Sequence, residues 1–128
     1  MASELRVNTL KDASGNNSVG MSTVAGGSAK VWIDIPLGSA SINDSFNVSS
    51  LDDDGTGLFG INLTSSFGTA FHAPTTGNDN GSSTSMIACA IESKTASAIE
   101  GSTFFVNSTT NRTLLDRDCH ISSHGDLA

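Results

Sequence analysis

The chain has 128 residues, enough for one small domain plus a leader, and a formal net charge of −7. The acidic balance and the scattered basic residues argue against a nucleic-acid partner, because phosphate binding needs clustered positive charge. The sequence contains no apolar run long enough to span a membrane, and Glu4 and Arg6 stand where a signal peptide has its apolar segment.

The first 29 residues predict an attachment arm rather than part of a core. Ser3–Leu10 is typical of one short strand, and the Gly- and Ser-rich segment Ser14–Ser28 of a linker that becomes ordered on docking. The apolar side chains able to add to a partner's sheet edge are Leu5, Val7 and Leu10. We therefore expect an attachment arm and linker over residues 1–29 and a β-domain over residues 30–128.

A strand is predicted to begin at Lys30, because apolar and polar residues alternate from there. Its apolar face consists of Val31, Ile33, Ile35 and Leu37. Trp32, the only Trp, lies on the opposite face together with Asp34. It belongs there either to a second core or to a contact between subunits, and the subunit contact is the interpretation we favour.

The middle of the chain continues the alternation around a predicted hairpin. Phe46 and Val48 alternate before an acidic turn at Asp52–Gly57, in which Asp54-Gly55 is the turn signal. The residues that alternate after this turn are Phe59, Ile61 and Leu63.

The second half of the chain predicts further short strands and little helix. Phe71–Ala73 reads as a strand stopped by Pro74, followed by a polar loop over Thr75–Ser85. Met86–Ile91 is apolar throughout, which predicts burial on both faces, and Ser102–Asn107 is similar. The last predicted strands are Leu114–Leu115 and Cys119–Ser123. Short strands separated by polar turns predict an all-β, antiparallel β-sandwich of jelly-roll-like type.

Candidate sites for metals and catalysis are weak in this sequence. The acidic stretch Asp52–Asp54 lacks the spacing and closing Glu of a calcium loop, so we interpret it as an exposed turn. His120 and His124 lie too far apart on one strand to share an ion, unless one of them meets its copies on a three-fold axis. Cys89 and Cys119 are expected to be free thiols, since assembly in a cytoplasm keeps thiols reduced. We expect no cofactor, no metal and no catalytic residue.

Three segments give the chain a family resemblance. The opening strand, the Asp-Ala-Ser-Gly-Asn-Asn turn at residues 12–17 and the Asp-Ser-Phe-Asn-Val-Ser-Ser segment at residues 44–50 resemble short tail-fibre-like virion proteins of tailed bacteriophages, especially cyanophages. The resemblance covers residues 3–50 and the terminal Ser-His-Gly-Asp-Leu-Ala. It implies a homotrimer, which the modest 37% hydrophobic content also favours.

The resulting hypothesis is a non-enzymatic structural protein, assembled in the host cytoplasm and displayed on the exterior of the virion. The first choice is a tail-fibre-like or tip protein that contacts a host-surface glycan or protein and docks on other virion proteins through its arm. The alternatives are a capsid decoration protein that stabilises the head lattice and a free carbohydrate-binding module.

Overall fold

The structure, a computed structural model, describes residues 3–36, 41–79, 86–106 and 112–128. Within these residues the chain is mostly strand, and every strand pair is antiparallel. The elements are β1 (Thr9–Lys11), β2 (Ser18–Gly20), α1 (Met21–Gly27), β3 (Ala29–Ile35), β4 (Asp44–Phe46), β5 (Val48–Gly55), β6 (Leu58–Leu63), β7 (Ala73–Gly77), β8 (Met86–Lys94), β9 (Ala98–Val106), β10 (Arg112–Leu114) and β11 (Cys119–His124). The prediction of an all-β protein with antiparallel sheets is confirmed. In the described part of the chain, no helix is long and apolar enough to cross a membrane.

Two larger sheets supply one hydrophobic core. The first has the strand order β4-β3-β11-β7. In the second, β5, β6, β9 and β8 lie side by side, and β10 pairs with the end of β9 that extends past β6. Side chains from both sheets form a single buried cluster, which comprises Val31, Ile33, Ile35, Phe59, Ile61, Leu63, Phe67, Ile99, Cys119 and Ile121. The alternation predicted for β3 and β6 is thus confirmed, except at Leu37, which lies outside the described residues.

The N-terminal segment forms a small hairpin with its own sheet. Of the predicted strand Ser3–Leu10 only Thr9 and Leu10 pair, as part of β1 with β2, and no other described strand joins this sheet. The Asp12 side chain closes the turn, because it accepts hydrogen bonds from the Asn16 backbone N–H (3.0 Å) and from Asn17 Nδ2 (2.7 Å). These carboxylate bonds lower the pKa of Asp12, the one to the Asn17 side chain most. The resemblance motif at residues 12–17 is therefore a hairpin turn.

The segment Ser14–Ser28, predicted to be a linker that becomes ordered on docking, contains β2 and the helix α1. No residue of α1 is buried. The helix ends where Ser28 N–H donates to the Val24 carbonyl, and Lys30 Nζ donates to the Ala25 carbonyl. A cation at a helix C-terminus is favourable, so local interactions rather than core burial hold this turn of helix.

Asn47 forms the corner between the two sheets, so Phe46 and Val48 do not share one strand as predicted. Its φ of 61° lies in the left-handed region, which Asn tolerates better than most residues. Asn47 Nδ2 donates to the carbonyls of Lys30 (3.1 Å) and Ser65 (3.0 Å), and Oδ1 accepts from Ser65 N–H (2.7 Å). The backbone therefore leaves β4 in one sheet and enters β5 in the other within a single residue.

The predicted hairpin exists, but its turn lies later than Asp54-Gly55. Gly55 pairs with Leu58, so the acidic residues lie on β5 and the chain turns at Thr56-Gly57. Gly57 has a φ of 68°, and a Cβ there would stand 2.5 Å from the Thr103 carbonyl oxygen. Only glycine fits this position without displacing the neighbouring backbone.

The structure corrects two further predictions, for β7 and for β8. β7 runs through Pro74 instead of stopping there, because β7 lies at the edge of its sheet, where proline is tolerated. Its residues 75–77 belong to the predicted loop, whereas residues 80–85 lie outside the described part. β8 is not buried on both faces as predicted, because Ile87 is buried but Met86 is 69% exposed.

The expectation of free thiols is wrong, because Cys89 and Cys119 form a disulfide. Cys89 lies on β8 of the five-stranded sheet and Cys119 begins β11 of the four-stranded sheet, so the bond joins the two sheets covalently. Close by, Thr76 Oγ1 donates to the Cys89 carbonyl (2.9 Å), so the edge strands β7 and β8 meet here. Cys89 and Cys119 are 30 residues apart in the sequence, and no local pattern predicts that they pair.

A buried histidine forms a second link between the sheets. His72 is 2% exposed and its ring stacks on Phe67, with 4.1 Å between ring centroids. Its Nδ1 lies 2.7 Å from Ser123 Oγ on β11, and its Nε2 lies 3.0 Å from the Thr95 carbonyl in the β8–β9 turn. A carbonyl can only accept, so Nε2 carries the proton and Nδ1 accepts from the Ser123 hydroxyl.

Candidate functional site

The outer face of the four-stranded sheet carries a row of aromatic and hydroxyl side chains. Trp32 on β3 stands opposite Phe46 on β4 and opposite Ser122 on β11, and Ser122 in turn stands opposite Thr75 on β7. Trp32 is 39% exposed and Phe46 is 53% exposed, while the buried neighbours of Trp32 point into the core. The Ser122 and Thr75 hydroxyls are hydrogen-bonded at 2.8 Å. The row thus has an apolar half and a hydroxyl half.

A second row, two residues further along each strand, carries charge. Asp34 on β3 stands opposite His120 on β11, and His120 stands opposite Gly77 on β7. His120 Nδ1 lies 3.0 Å from Asp34 Oδ1, and Asn43 Nδ2 donates to Asp34 Oδ2 at 3.2 Å. The carboxylate can only accept, so Nδ1 of His120 carries a proton. When the imidazole is neutral, Nε2 is therefore an acceptor.

The two rows border an open cleft of about 370 Å³ on this face of the sheet. Its lining residues are Trp32, Ile33, Asp34, Thr75, Thr76, Gly77, His120, Ile121 and Ser122. A Cβ added to Gly77 would meet nothing within 4 Å, so the cleft is open at that corner. An aromatic face beside convergent donors and acceptors is the usual composition of a small-molecule site.

The predicted site residues are distributed over two separate regions. Trp32 lies in the cleft, on the outer face as predicted, whereas Leu5, Val7 and Leu10 lie in and before the N-terminal hairpin. All three arm residues are exposed, and Leu5 is 81% exposed. Leu10 and its strand partner Val19 line an open groove of about 310 Å³ on this hairpin.

His120 and His124 lie on the four-stranded sheet, whereas the acidic stretch Asp52–Asp54 lies on the five-stranded sheet. His120 and His124 lie on one outward face of β11, as predicted from their spacing, and only His120 reaches the cleft. Asp52 accepts a hydrogen bond from Asn62 Nδ2 (2.7 Å), and Asp53 accepts one from Gly55 N–H (3.0 Å). Among the described residues, no group of three or more His, Cys, Asp or Glu side chains is arranged to hold a metal ion.

Two glutamates on the five-stranded sheet have opposite electrostatic surroundings. Partial burial raises the pKa of Glu100, and the nearby carboxylates of Asp54 and Asp52 add to the rise. A hydrogen bond from the Ser102 hydroxyl lowers the pKa of Glu92, and Arg112, 2.7 Å away, adds to the lowering.

Arg112 also lies over the Phe104 ring, 4.8 Å from its centroid. Glu92, Ser102, Phe104 and Arg112 thus form one surface cluster on this sheet. No local sequence pattern predicts the cluster, because its members come from three separate strands.

No protein-family model, curated protein or solved structure matches this chain. The protein is thus defined by its own geometry: an all-β chain of antiparallel sheets with a separate N-terminal hairpin and an aromatic, polar cleft.

Proposed function

We propose that this chain is a non-enzymatic structural protein of a tailed-phage virion. It is displayed on the particle as a trimeric tail-fibre-like or tip protein and contacts the host. The observation that carries the proposal is the N-terminal segment, which stands as its own hairpin with exposed apolar side chains, as an attachment arm requires.

The arm is built to be completed by a partner. An isolated two-stranded hairpin is marginally stable in water, and α1 buries none of its residues. Among the described strands β1 pairs with β2 alone, which leaves its other edge available to a further strand. A strand from another virion protein can extend this sheet, while Leu5, Val7 and Leu10 fill apolar pockets on that partner.

The two larger sheets form the displayed body, which we propose to be a sandwich because both sheets contribute to one core. The Cys89–Cys119 bond and the His72 network tie its halves together. Disulfides persist mainly in oxidising surroundings, which suits the exterior of a particle after release from the host. The jelly-roll-like connectivity stays a prediction.

An exposed apolar pair supports the trimer. Met86 on β8 stands opposite Val106 on β9, and both side chains are exposed at one end of the five-stranded sheet. Covering this pair between subunits would add to a modest core at about 25 cal/mol per Å². Light scattering should give three times the monomer mass. The Met86→Glu and Val106→Glu double variant should lower that mass, whereas Phe71→Glu, at a side chain that is 91% exposed, should not.

The arm is tested by complementing a phage that lacks this protein. Deletion of residues 1–28, or the double variant Leu5→Ser and Val7→Ser, should abolish incorporation into particles. The purified variants should keep the melting temperature of the parent, because these residues add nothing to the core. Phe71→Ser is the matched control and should be incorporated normally. Particles that incorporate the truncated chain would contradict the proposal.

The cleft favours one alternative, a free carbohydrate-binding module, which needs no particle. The capsid decoration alternative shares the arm and the trimer, but it places the protein on the head. Separated heads and tails distinguish these possibilities.

A further inference from the structure

We propose that the cleft on the four-stranded sheet binds one uncharged pyranose ring, stacked on Trp32. The proposed host contact gives this site its biological role, so the inference rests on that function. The binding chemistry belongs to the isolated protein and is tested there.

The aromatic half of the cleft supplies the stacking surface. Trp32 is the only Trp of a chain that has no Tyr, yet it is 39% exposed beside the even more exposed Phe46. The face of an aromatic ring carries partial negative charge and attracts polarised C–H groups. A pyranose ring presents such C–H groups on one face and hydroxyls around its edge, so it suits an aromatic surface with polar surroundings.

The polar half of the cleft supplies partners for those hydroxyls at a suitable spacing. Strands in a sheet lie about 4.8 Å apart, and residues two apart on one strand are separated by about 6.6 Å. A ring stacked on Trp32 therefore has the Asp34–His120 pair along the strand direction and Ser122 across it. Asp34 accepts hydrogen bonds, and His120 Nε2 accepts them when the imidazole is neutral, whereas the serine hydroxyl both donates and accepts.

The negative charge on this face and the room at the edge of the cleft further restrict the class of ligand. The chain has a net charge of −7, and both Asp34 and Asp44 lie on this face, so uronic or sialic acids are disfavoured. The open corner at Gly77 leaves room for a second residue of a glycan chain.

A second copy of the chain is the competing occupant of this face. The centres of subunit interfaces are depleted of charged residues. Here the charged Asp34–His120 pair lines the cleft, two residues along the strands from Trp32 and Ser122. The arrangement therefore fits a polar small ligand better than the apolar centre of an interface.

The single tryptophan makes the test specific, because intrinsic fluorescence reports on the cleft alone. The protein is titrated with methyl glycosides of glucose, galactose, mannose and N-acetylglucosamine, and with N-acetylneuraminic acid as the anionic probe. We expect a saturable change for at least one neutral glycoside, with a Kd of about 1 mM or below, and none for the anionic probe. Asp34→Asn and Ser122→Ala should each weaken binding about tenfold.

Matched controls keep the result interpretable. His124→Ala lies on the same strand and face but outside the cleft, so it should bind like the parent, as should Phe71→Ala. Amide chemical shifts of the parent protein should change around the cleft, a readout that needs no variant.

The proposal is overturned if no neutral glycoside gives a saturable signal, or if the control variants weaken binding equally. It is also overturned if acrylamide cannot quench Trp32 in the free protein, since a subunit then covers it. Absence from phage particles, in contrast, would refute only the virion role.

Discussion

Reduction of the Cys89–Cys119 disulfide should lower the free energy of unfolding by an amount that depends on the length of the loop closed by the bond. The bond closes a loop across 30 residues, which restricts the unfolded chain. On the chain-entropy relation, a loop of this length is worth about 3.6 kcal/mol at 25 °C. That is a large fraction of the roughly 5–15 kcal/mol typical of whole domains. The folded structure has other links between the sheets, so the reduced protein should remain folded but much less stable.

Urea unfolding with and without reductant measures this difference, because reduction removes the cross-link without replacing either side chain. With a slope of about 1.5 kcal/mol per molar urea, the midpoint should fall by about 2.4 M. The Cys89→Ala and Cys119→Ala double variant should show no further response to reductant. An unchanged midpoint after verified reduction would refute the reasoning, and so would two titratable thiols in the unreduced, unfolded protein.

Three further predictions concern single side chains. Burial lowers the pKa of His72 in the folded state, and Lys94 adds to the lowering. The contribution of His72 to the free energy of unfolding should therefore be fully present above the unfolded pKa of about 6.5 and should decrease as the pH falls towards the folded pKa. Thermal melts between pH 7 and 5 should show this dependence, and His72→Gln should flatten it. Asn47→Ala should lower the free energy of unfolding in urea by about 2–3 kcal/mol, because hydrogen bonds are lost and alanine disfavours a positive φ. Asn47→Gly should lower it by about 1 kcal/mol less, because glycine tolerates that φ. Glu100→Gln should raise the melting temperature at pH 7 and lose that effect in acid, because the folded state disfavours the charged form. The neighbouring Glu92→Gln should lower the melting temperature at pH 7, since its charged form is stabilised. Equal shifts for the two glutamate variants would contradict the electrostatic account.

Local pattern was enough to predict the centre of the fold. The burial of Val31, Ile33 and Ile61 follows from two-residue alternation, because successive side chains of a strand point to opposite faces. The outward position of Trp32 follows from the same rule. The position of the Asp12 turn also follows from its local chemistry, since Asp, Gly and Asn favour tight turns.

Pairing between distant segments was not predictable in the same way. Cys89 meets Cys119, and His72 meets Ser123, only because the two sheets share one core. The corner at Asn47 was missed because one residue of positive φ interrupts an alternation that otherwise continues across it.

The cleft was missed for a related reason. Trp32, His120 and Thr75 come from three strands far apart in sequence, so only the sheet register places them side by side. A lone Trp in a sequence does not reveal whether polar groups surround it.

We propose that this chain belongs to the exterior of a phage tail. Quantitative mass spectrometry of separated tails and heads from purified particles tests it most directly. The account predicts the chain in the tail fraction, with a copy number per particle that is a multiple of three. Recovery in the head fraction alone would contradict the tail assignment, and absence from both fractions would contradict the virion role altogether.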